Sequence, residues 1–489
     1  MIYIKEVNDS FIKVTCSEPH IEQELYDHFI IQHEPSWIIV KKRDGSRKKK
    51  LTTGKTILYK KQTKLLYRGL LNYVRSFAAD RNYPITYQSD FSYNNVEPEE
   101  LQSFIKMLKL PVDVRDYQFD AILTCIRQKR KTILSPTSSG KSLIIYVIAM
   151  FCLYKGWVKK PLIIAPTINL VMQMKSDFIE YGCKADMIHT IHYGQEKITS
   201  APITVSTWQS IADYTPDYFN QYDMFIGDEA HGFEAKSLVS ICTRHTKCKY
   251  KFGFTGTLKN GKTHRLIIEG LFGDQYQTIT TKEMIDQGYA SKLKINIIVL
   301  NYPHQYKKLR DYHEELDFLL NSEPRQKFIK HLATSVKGST LVLFQFVKKH
   351  GVELFNKISE IDPTHTHFVY GGVPGEDRET IRKIIESSVV DEKVVASTGT
   401  FSTGVNIKRL KNAIFANPTN KSKVRTLQSI GRTLRLHAEK DVAILYDIVD
   451  NLTYKGNLNY SLKHLEERIK MYDNEQFPYE IFQVDLKGF

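Results

Sequence analysis

Residues 135–142 read SPTSSGKS. Small residues ending in Gly-Lys-Ser suit one task, the holding of a phosphate chain. Backbone N–H groups surround the anion, the lysine reaches its outer oxygens and the hydroxyl ligates a divalent cation. Lys141 and Ser142 would take the last two parts; Pro136, Thr137, Ser138, Ser139 and Gly140 would form the cradle. The first position, usually glycine, is Ser135. Asp228, Glu229, Ala230 and His231 follow 87 positions after Lys141, at the end of an apolar run. There an aspartate can hold Mg²⁺ through water, and the adjacent glutamate can orient and deprotonate an attacking water. Phosphoryl transfer also needs positive charge on the outer phosphate. The segment QSIGRTLRLH offers Gln428, Arg432 and Arg435, spaced four and three apart. On one continuous helix they would share a face.

Such groups work together only if strands and helix starts bring them to one edge of a sheet. The strand TILS precedes the loop and the helix KSLIIYVIAM follows it. PLIIAP, ITVST, MFIGDEAH and KFGFTGT have the length of buried parallel strands. A second series, KINIIVL, TLVLFQF, THFVYGG, KVVAST, NAIFANP and VAILYDIV, starts near residue 290. The fold class expected is α/β, with two tandem parallel-sheet domains over 111–282 and 283–450. Residues 1–110 read as a smaller α+β module: strands MIYIKEV and SFIKVTC, a helix IEQELYDHFI, two strands in KTILYKKQTKLLYRG, and helices at GLLNYVRSFAADRNY and EPEELQSFIKML. Residues 451–489 read as a helical tail around SLKHLEERIKMYD.

Composition narrows the classes. The chain has 489 residues with 42% hydrophobic and 25% charged, which excludes a disordered chain, a collagen-like fibre and a disulfide mini-protein. No apolar run reaches the roughly 18–20 residues of a membrane span; the longest, LIIYVIAMFCLY, reads as a buried helix. MIYIKEVNDSF lacks the features of a signal peptide. Six cysteines form no C-x-x-C pair, so a zinc site or disulfide framework is not expected and a reducing cytoplasm is. The net charge is +15. Between Lys41 and Arg75 stand 13 Lys or Arg against one acid, Asp44. Clustered charge of this kind is the footprint of phosphate-backbone binding, and Lys48, Lys49 and Lys50 lie at its centre.

The order of these motifs resembles that of superfamily 2 helicases and translocases with two RecA-like domains, over about residues 112–450. VRDYQFDAI is similar to the adenine-reading Q motif, with Arg115 and with Gln118 pairing the adenine edge, which implies ATP rather than GTP. SPTSSGKS and DEAH stand as motifs I and II. FTGT, with Thr255 and Thr257, resembles motif III, which together with His231 implies coupling of hydrolysis to domain movement. QSIGRTLR resembles motif VI, making Arg432 and Arg435 arginine fingers. IAPTINLVMQ (Pro166, Thr167), VSTWQS (Ser206, Thr207, Gln209), VYGGVPGEDR (Gly371, Gly372, Arg378) and STGTFSTGVNI (Thr398, Thr403) resemble the motifs of the nucleic-acid track. FQFVKKHG resembles motif IV. Gly404 and Asn406 would lie toward the nucleotide, Asn406 standing where many relatives have Asp.

Within the superfamily the chain resembles the phage UvsW-type helicases in GKTILYKKQTKLLYRGLLNYVRSFA, TWQS, FSTG and IGRTLR with a compact tail. The resemblance implies ATP and Mg²⁺ as cofactors and branched or forked DNA as partner. The activities implied are fork regression, Holliday-junction branch migration and D-loop or R-loop unwinding, the last involving RNA–DNA hybrids, by a monomer in the host cytoplasm. An RNA helicase or the motor subunit of a restriction complex would share the same core, and a nucleic-acid scaffold with a dead ATP site is opposed by the intact GKS, DEAH and GRTLR set.

Overall fold

Short apolar runs separated by helices assemble into two seven-stranded sheets. The computed structural model describes residues 1–33, 36–41, 47–192, 194–258, 261–302, 309, 311–404, 407–418, 423–437 and 440–488. In the first sheet the spatial order is Ile188–Ile191, Ile203–Thr207, Pro161–Ala165, Met224–Asp228, Tyr250–Thr255, Arg130–Leu134 and Gln275–Gln277. Every neighbouring pair is parallel. The central strands are buried along their whole length, because both faces are covered. Ile163, Ile226 and Phe252 point into a core shared with the helices Asp116–Gln128 and Lys141–Tyr154, whereas Leu162, Ile164 and Phe225 point into another shared with Lys236–Arg244 and Lys262–Phe272.

The second sheet repeats the plan in the order Thr366–Val369, Lys393–Ser397, Thr340–Phe344, Asn412–Phe415, Val442–Asn451, Lys292–Asn301 and Tyr479–Asp485, again all parallel. Its last strand comes from the tail. After the helix Tyr460–Asn474 the chain returns to extend the sheet on Lys292–Asn301. The buried Glu315 carboxylate fixes the start of that helix, accepting from the N–H groups of Tyr460 at 2.9 Å and Ser461 at 2.8 Å.

The chain divides into two compact units, Met1–Ser135 with Gly140–Thr278, and Pro136–Ser139 with Ile279–Phe489. The N-terminal region therefore belongs to the body of the first sheet. It has its own four-stranded sheet, ordered Leu65–Tyr67, Phe11–Cys16, Ile2–Glu6 and Ile85–Tyr87, and its core takes in Leu266. Two buried cations at the beginnings of first-sheet strands fasten it. Lys251 Nζ donates to Ser10 Oγ at 2.7 Å and to the carbonyls of Cys242 at 2.9 Å and His245 at 2.8 Å. Arg130 donates to the carbonyls of Asp9 and Cys248. Burial pushes the Lys251 ammonium down to about 8, so these carbonyls offset a real desolvation cost. Two antiparallel ribbons complete the region, Ile30–Gln32 with Lys55–Ile57 and Ser36–Lys41 with Arg47–Thr52. Lys48, Lys49 and Lys50 stand on the second ribbon, opposite Val40, Ile39 and Ile38; their side chains lie outside the described set.

Candidate nucleotide site

The phosphate loop grows out of the strand Arg130–Leu134. One residue further, the Ser135 N–H donates to the Thr255 carbonyl at 2.9 Å, and the Thr278 hydroxyl donates to Ser135 Oγ at 3.1 Å. The position usually held by glycine is thus a fully buried serine. Ser139 then donates to the Pro136 carbonyl from its N–H at 3.2 Å and its hydroxyl at 2.6 Å, closing a tight turn. The turn requires left-handed backbone at Ser138 (φ +71°) and Gly140 (φ +83°). Gly140 is required for a second reason. A Cβ there would lie 2.3 Å from Gln118 Nε2. Gln118 is itself buried, and its Oε1 accepts from the Arg115 N–H at 2.9 Å. The Gly140 carbonyl starts the helix Lys141–Tyr154, whose first-turn N–H groups and dipole favour an anion at the loop. Lys141 Nζ donates to the Ser135 carbonyl at 3.2 Å, and Ser142 Oγ lies 3.0 Å from Tyr181 OH.

The acid pair sits two strands away. The strand Met224–Asp228 is neighbour to Tyr250–Thr255, which is neighbour to the loop strand, so Thr255 stands between the lysine loop and the acids. Its carbonyl receives Ser135 and its hydroxyl lies 3.0 Å from His231 Nδ1. His231 Nδ1 also lies 3.2 Å from Glu229 Oε2, and Thr255 Oγ1 donates to the Thr257 carbonyl at 3.0 Å. Glu229 turns the chain with φ +51°. Asp228 is buried, and its Oδ1 has no hydrogen-bond partner among the described residues. Burial first, then the neighbouring Glu229 charge, hold its carboxyl well above the ordinary carboxylate range, with Lys141 and His231 opposing. An orphaned buried oxygen on an acid destabilised as an anion suits a hard divalent cation.

In the second unit the helix carrying motif VI is Lys423–Thr433. It includes Gln428 and Arg432 but ends before Arg435, so the three do not share one helical face as their spacing predicts. Arg432 is buried and Arg435 half-buried. The turn after the helix is held by Ser291, whose N–H donates to the Leu434 carbonyl at 2.8 Å and whose hydroxyl donates to the Arg435 carbonyl at 3.2 Å. The Gln428 and Thr403 side chains and all of Asn406 lie outside the described residues; Gly404 ends the helix Thr398–Gly404.

The residues assigned to the nucleic-acid track divide by exposure. Gln209 is exposed on a short turn of helix, and Gly371 and Gly372 are exposed after the strand Thr366–Val369, with Arg378 half-buried on the helix Gly375–Ser387. Thr167 caps the helix Ile168–Glu180, accepting from the Leu170 N–H at 3.4 Å, with Pro166 before it. Ser206 is different. It is fully buried and donates to the carbonyls of Ile191 and Thr207, which makes it a sheet residue rather than a DNA contact. Thr398 likewise is buried and donates to the Phe344 carbonyl at 3.0 Å, and the Thr207 hydroxyl pairs with Ser210.

Two family models match, one described as type III restriction enzyme, res subunit, over residues 111–260 and one described as helicase conserved C-terminal domain over residues 323–437. The ATP-dependent DNA helicase UvsW of Enterobacteria phage T4 is 35% identical over 396 residues, covering 76% of this chain and 77% of that protein. The chain belongs to the UvsW-type helicases. The DNA 3'-5' translocase XPB2 of Sulfurisphaera tokodaii is 23% identical over 400 residues, 73% of this chain and 85% of its own. A fragment of an HsdR subunit of a type I restriction enzyme from Vibrio vulnificus shares the fold, with a TM-score of 0.56 and 17% identity over 96% of both chains. Two residues at the site of this UvsW-type helicase carry no motif signal, Tyr181 beside Ser142 and Thr278 beside Ser135. Each comes from the end of a distant element, and only the folded sheet brings it in. Among the described residues no helix is long and apolar enough to cross a membrane.

Proposed function

We propose that this UvsW-type helicase hydrolyses ATP to remodel branched DNA, including forks, four-way junctions and displacement or RNA–DNA loops, in the host cytoplasm. The observation that supports this most is the Lys141 loop, the buried Asp228 with the half-buried Glu229 beside it, and Thr255 at one edge of one sheet. Ser142 and Asp228 would hold Mg²⁺, which supplies charge neutralisation between the phosphates. Lys141 and the loop N–H groups bind and orient the phosphates, Gln118 with Arg115 reads the adenine, and Glu229 takes a proton from the attacking water. Arg432, Arg435 and Gln428 would supply the positive charge and hydrogen bonding that the outer phosphate needs as the reaction proceeds. Gly404 and Asn406 complete the nucleotide contacts. His231 and Thr255, bonded to each other, carry the state of the acid pair to the strand end and Thr257. The exposed Gln209, Gly371 and Gly372, with Arg378, and Lys48–Lys50 on their ribbon, bind the DNA backbone.

The test is ATP-driven conversion of labelled fork, four-way junction, simple duplex and RNA–DNA hybrid, side by side, by wild type, Lys141→Ala and Glu229→Gln. Wild type should convert the branched substrates fastest, and both variants should lose DNA-stimulated hydrolysis. Full hydrolysis by either variant overturns the site. Translocation along duplex without strand separation favours the restriction-motor reading, and conversion of RNA duplexes alone favours the RNA-helicase reading.

A further inference from the structure

In the second unit the turn that leads Arg435 away from its helix is held at three successive carbonyls, by donors that lie outside the helicase motifs. The Thr433 carbonyl accepts from Lys440 Nζ at 2.8 Å, the Leu434 carbonyl from the Ser291 N–H at 2.8 Å and the Arg435 carbonyl from the Ser291 hydroxyl at 3.2 Å. A helix leaves its last carbonyls without internal partners, so the end of Lys423–Thr433 must take donors from elsewhere in the fold. Arg432 stands immediately before this turn and Arg435 within it. Lys440 holds more than the turn. Its Nζ also donates to the Lys408 carbonyl at 2.8 Å and the Leu410 carbonyl at 3.0 Å. The three donors of one ammonium are thus matched to three carbonyls, one at the end of the motif VI helix and two in the segment that follows Gly404 and Asn406. Lys440 is buried, and burial pushes its ammonium down to about 8, with Arg435 acting in the same direction and Glu386 against. Burying this charge has a cost that an apolar side chain would avoid. What the lysine supplies, and an apolar residue cannot, is a fixed link between the two segments.

The anchors of this link are set by the sheet. Three adjacent strands of the second sheet begin at Asn412, Val442 and Lys292. Leu410 and Lys440 lie two residues before the first two, and Ser291 lies one residue before the third. Pairing starts at once, Asn412 with Ile444 and Lys292 with Val442. The turn between the two arginines is therefore referenced to the edge of a hydrogen-bonded sheet and not to a loop.

We propose that Lys440, assisted by Ser291, is a positioning residue for ATP hydrolysis: it fixes the turn between Arg432 and Arg435 so that both guanidinium groups are presented together, and it ties that turn to the segment after Gly404 and Asn406. The proposal rests on the reading above in which Arg432 and Arg435 act on the outer phosphate. Lys440 touches no reacting atom and acts only through the arginines.

The test is single-turnover ATP hydrolysis by the full chain on DNA, run as a mutant cycle of Lys440→Met against Arg432→Ala/Arg435→Ala, with binding of a fluorescent ATP analogue and the thermal midpoint measured alongside. Methionine keeps the length of the side chain and removes the donors. A misplacement of about 1 Å at a reacting group costs about 10²-fold in rate. Lys440→Met should lower the hydrolysis rate by about that factor while affinity for the analogue, which the Lys141 loop supplies, stays at the wild-type level. Ser291→Ala, which removes one hydrogen bond from the same turn and strands no buried charge, should lower the rate by about fivefold. With both arginines already replaced, Lys440→Met should make no further difference. A wild-type rate in Lys440→Met overturns the proposal; where that variant fails to fold, a wild-type rate in Ser291→Ala does so. An undiminished further loss in the background lacking both arginines also overturns it, because the lysine would then act on the fold and not on the arginines. A wild-type rate in Arg432→Ala/Arg435→Ala overturns instead the reading on which the proposal rests.

Discussion

Asp228→Asn should make the protein more stable and inactive at once. The carboxyl is buried, one oxygen is unpartnered and Glu229 repels its charge. Its titration is raised from 3.8 to about 7, which corresponds to about 4 kcal/mol of destabilisation when the group is forced to ionise. Because the folded-state value is the higher one, the folded protein keeps a proton that the unfolded chain releases between pH 3.8 and 7. The penalty is absent below pH 3.8, grows through that interval and is complete above pH 7. Asparagine keeps the shape and does not titrate. In metal-free buffer the variant should therefore gain on wild type by about 2–3 kcal/mol more at pH 8 than at pH 5. All three tryptophans, Trp37, Trp157 and Trp208, lie in the first unit, so urea unfolding followed by tryptophan fluorescence reports on the unit that contains Asp228. Added Mg²⁺ should narrow the gap by stabilising wild type alone. If the difference between the two proteins is the same at pH 5 and pH 8, the carboxyl is not strained and the argument for a cation at this position fails.

Gly140→Ala should cost about 1–2 kcal/mol from the left-handed backbone alone, plus the contact with Gln118, and should abolish binding of a fluorescent ATP analogue. Adding Gln118→Ala should recover part of the thermal midpoint and none of the binding. In the second unit the buried His350 ring has no hydrogen-bond partner among the described residues, and burial, with Arg325 nearby, pushes its titration from 6.5 to about 3. The neutral ring contributes stability above pH 6.5 that is lost on acidification, at about 1.4 kcal/mol per pH unit. His350→Leu should flatten the acid side of the second unit's calorimetric stability curve, and an unchanged slope would show that the ring is not buried neutral.

The placement of the candidate site's motifs was legible because it depends on local sequence. A strand, a small-residue loop and a helix start are contiguous from residue 130 to 154, and the Asp228 pair closes its own strand, so spacing and apolar runs suffice to place them at strand ends. The same holds for the central strands of both parallel sheets, which are buried on both faces and therefore read as continuous apolar runs. Where the reading depended on a helix continuing, it failed: Arg435 lies past the end of Lys423–Thr433. The tail strand Tyr479–Asp485 was missed because an edge strand with exposed residues has no apolar run to mark it.

Sequence alone determined which groups are present and the order in which strands deliver them, since those follow from bonded neighbours and side-chain type. Tertiary structure decided what each group faces. It buried Ser206 and Thr398 among carbonyls, set Tyr181 against Ser142, drew the N-terminal region onto the first sheet through Arg130 and Lys251, and crowded Asp228 with Glu229 in a place with little water. Burial and through-space charge are sums over residues far apart in the chain, and no local pattern encodes them.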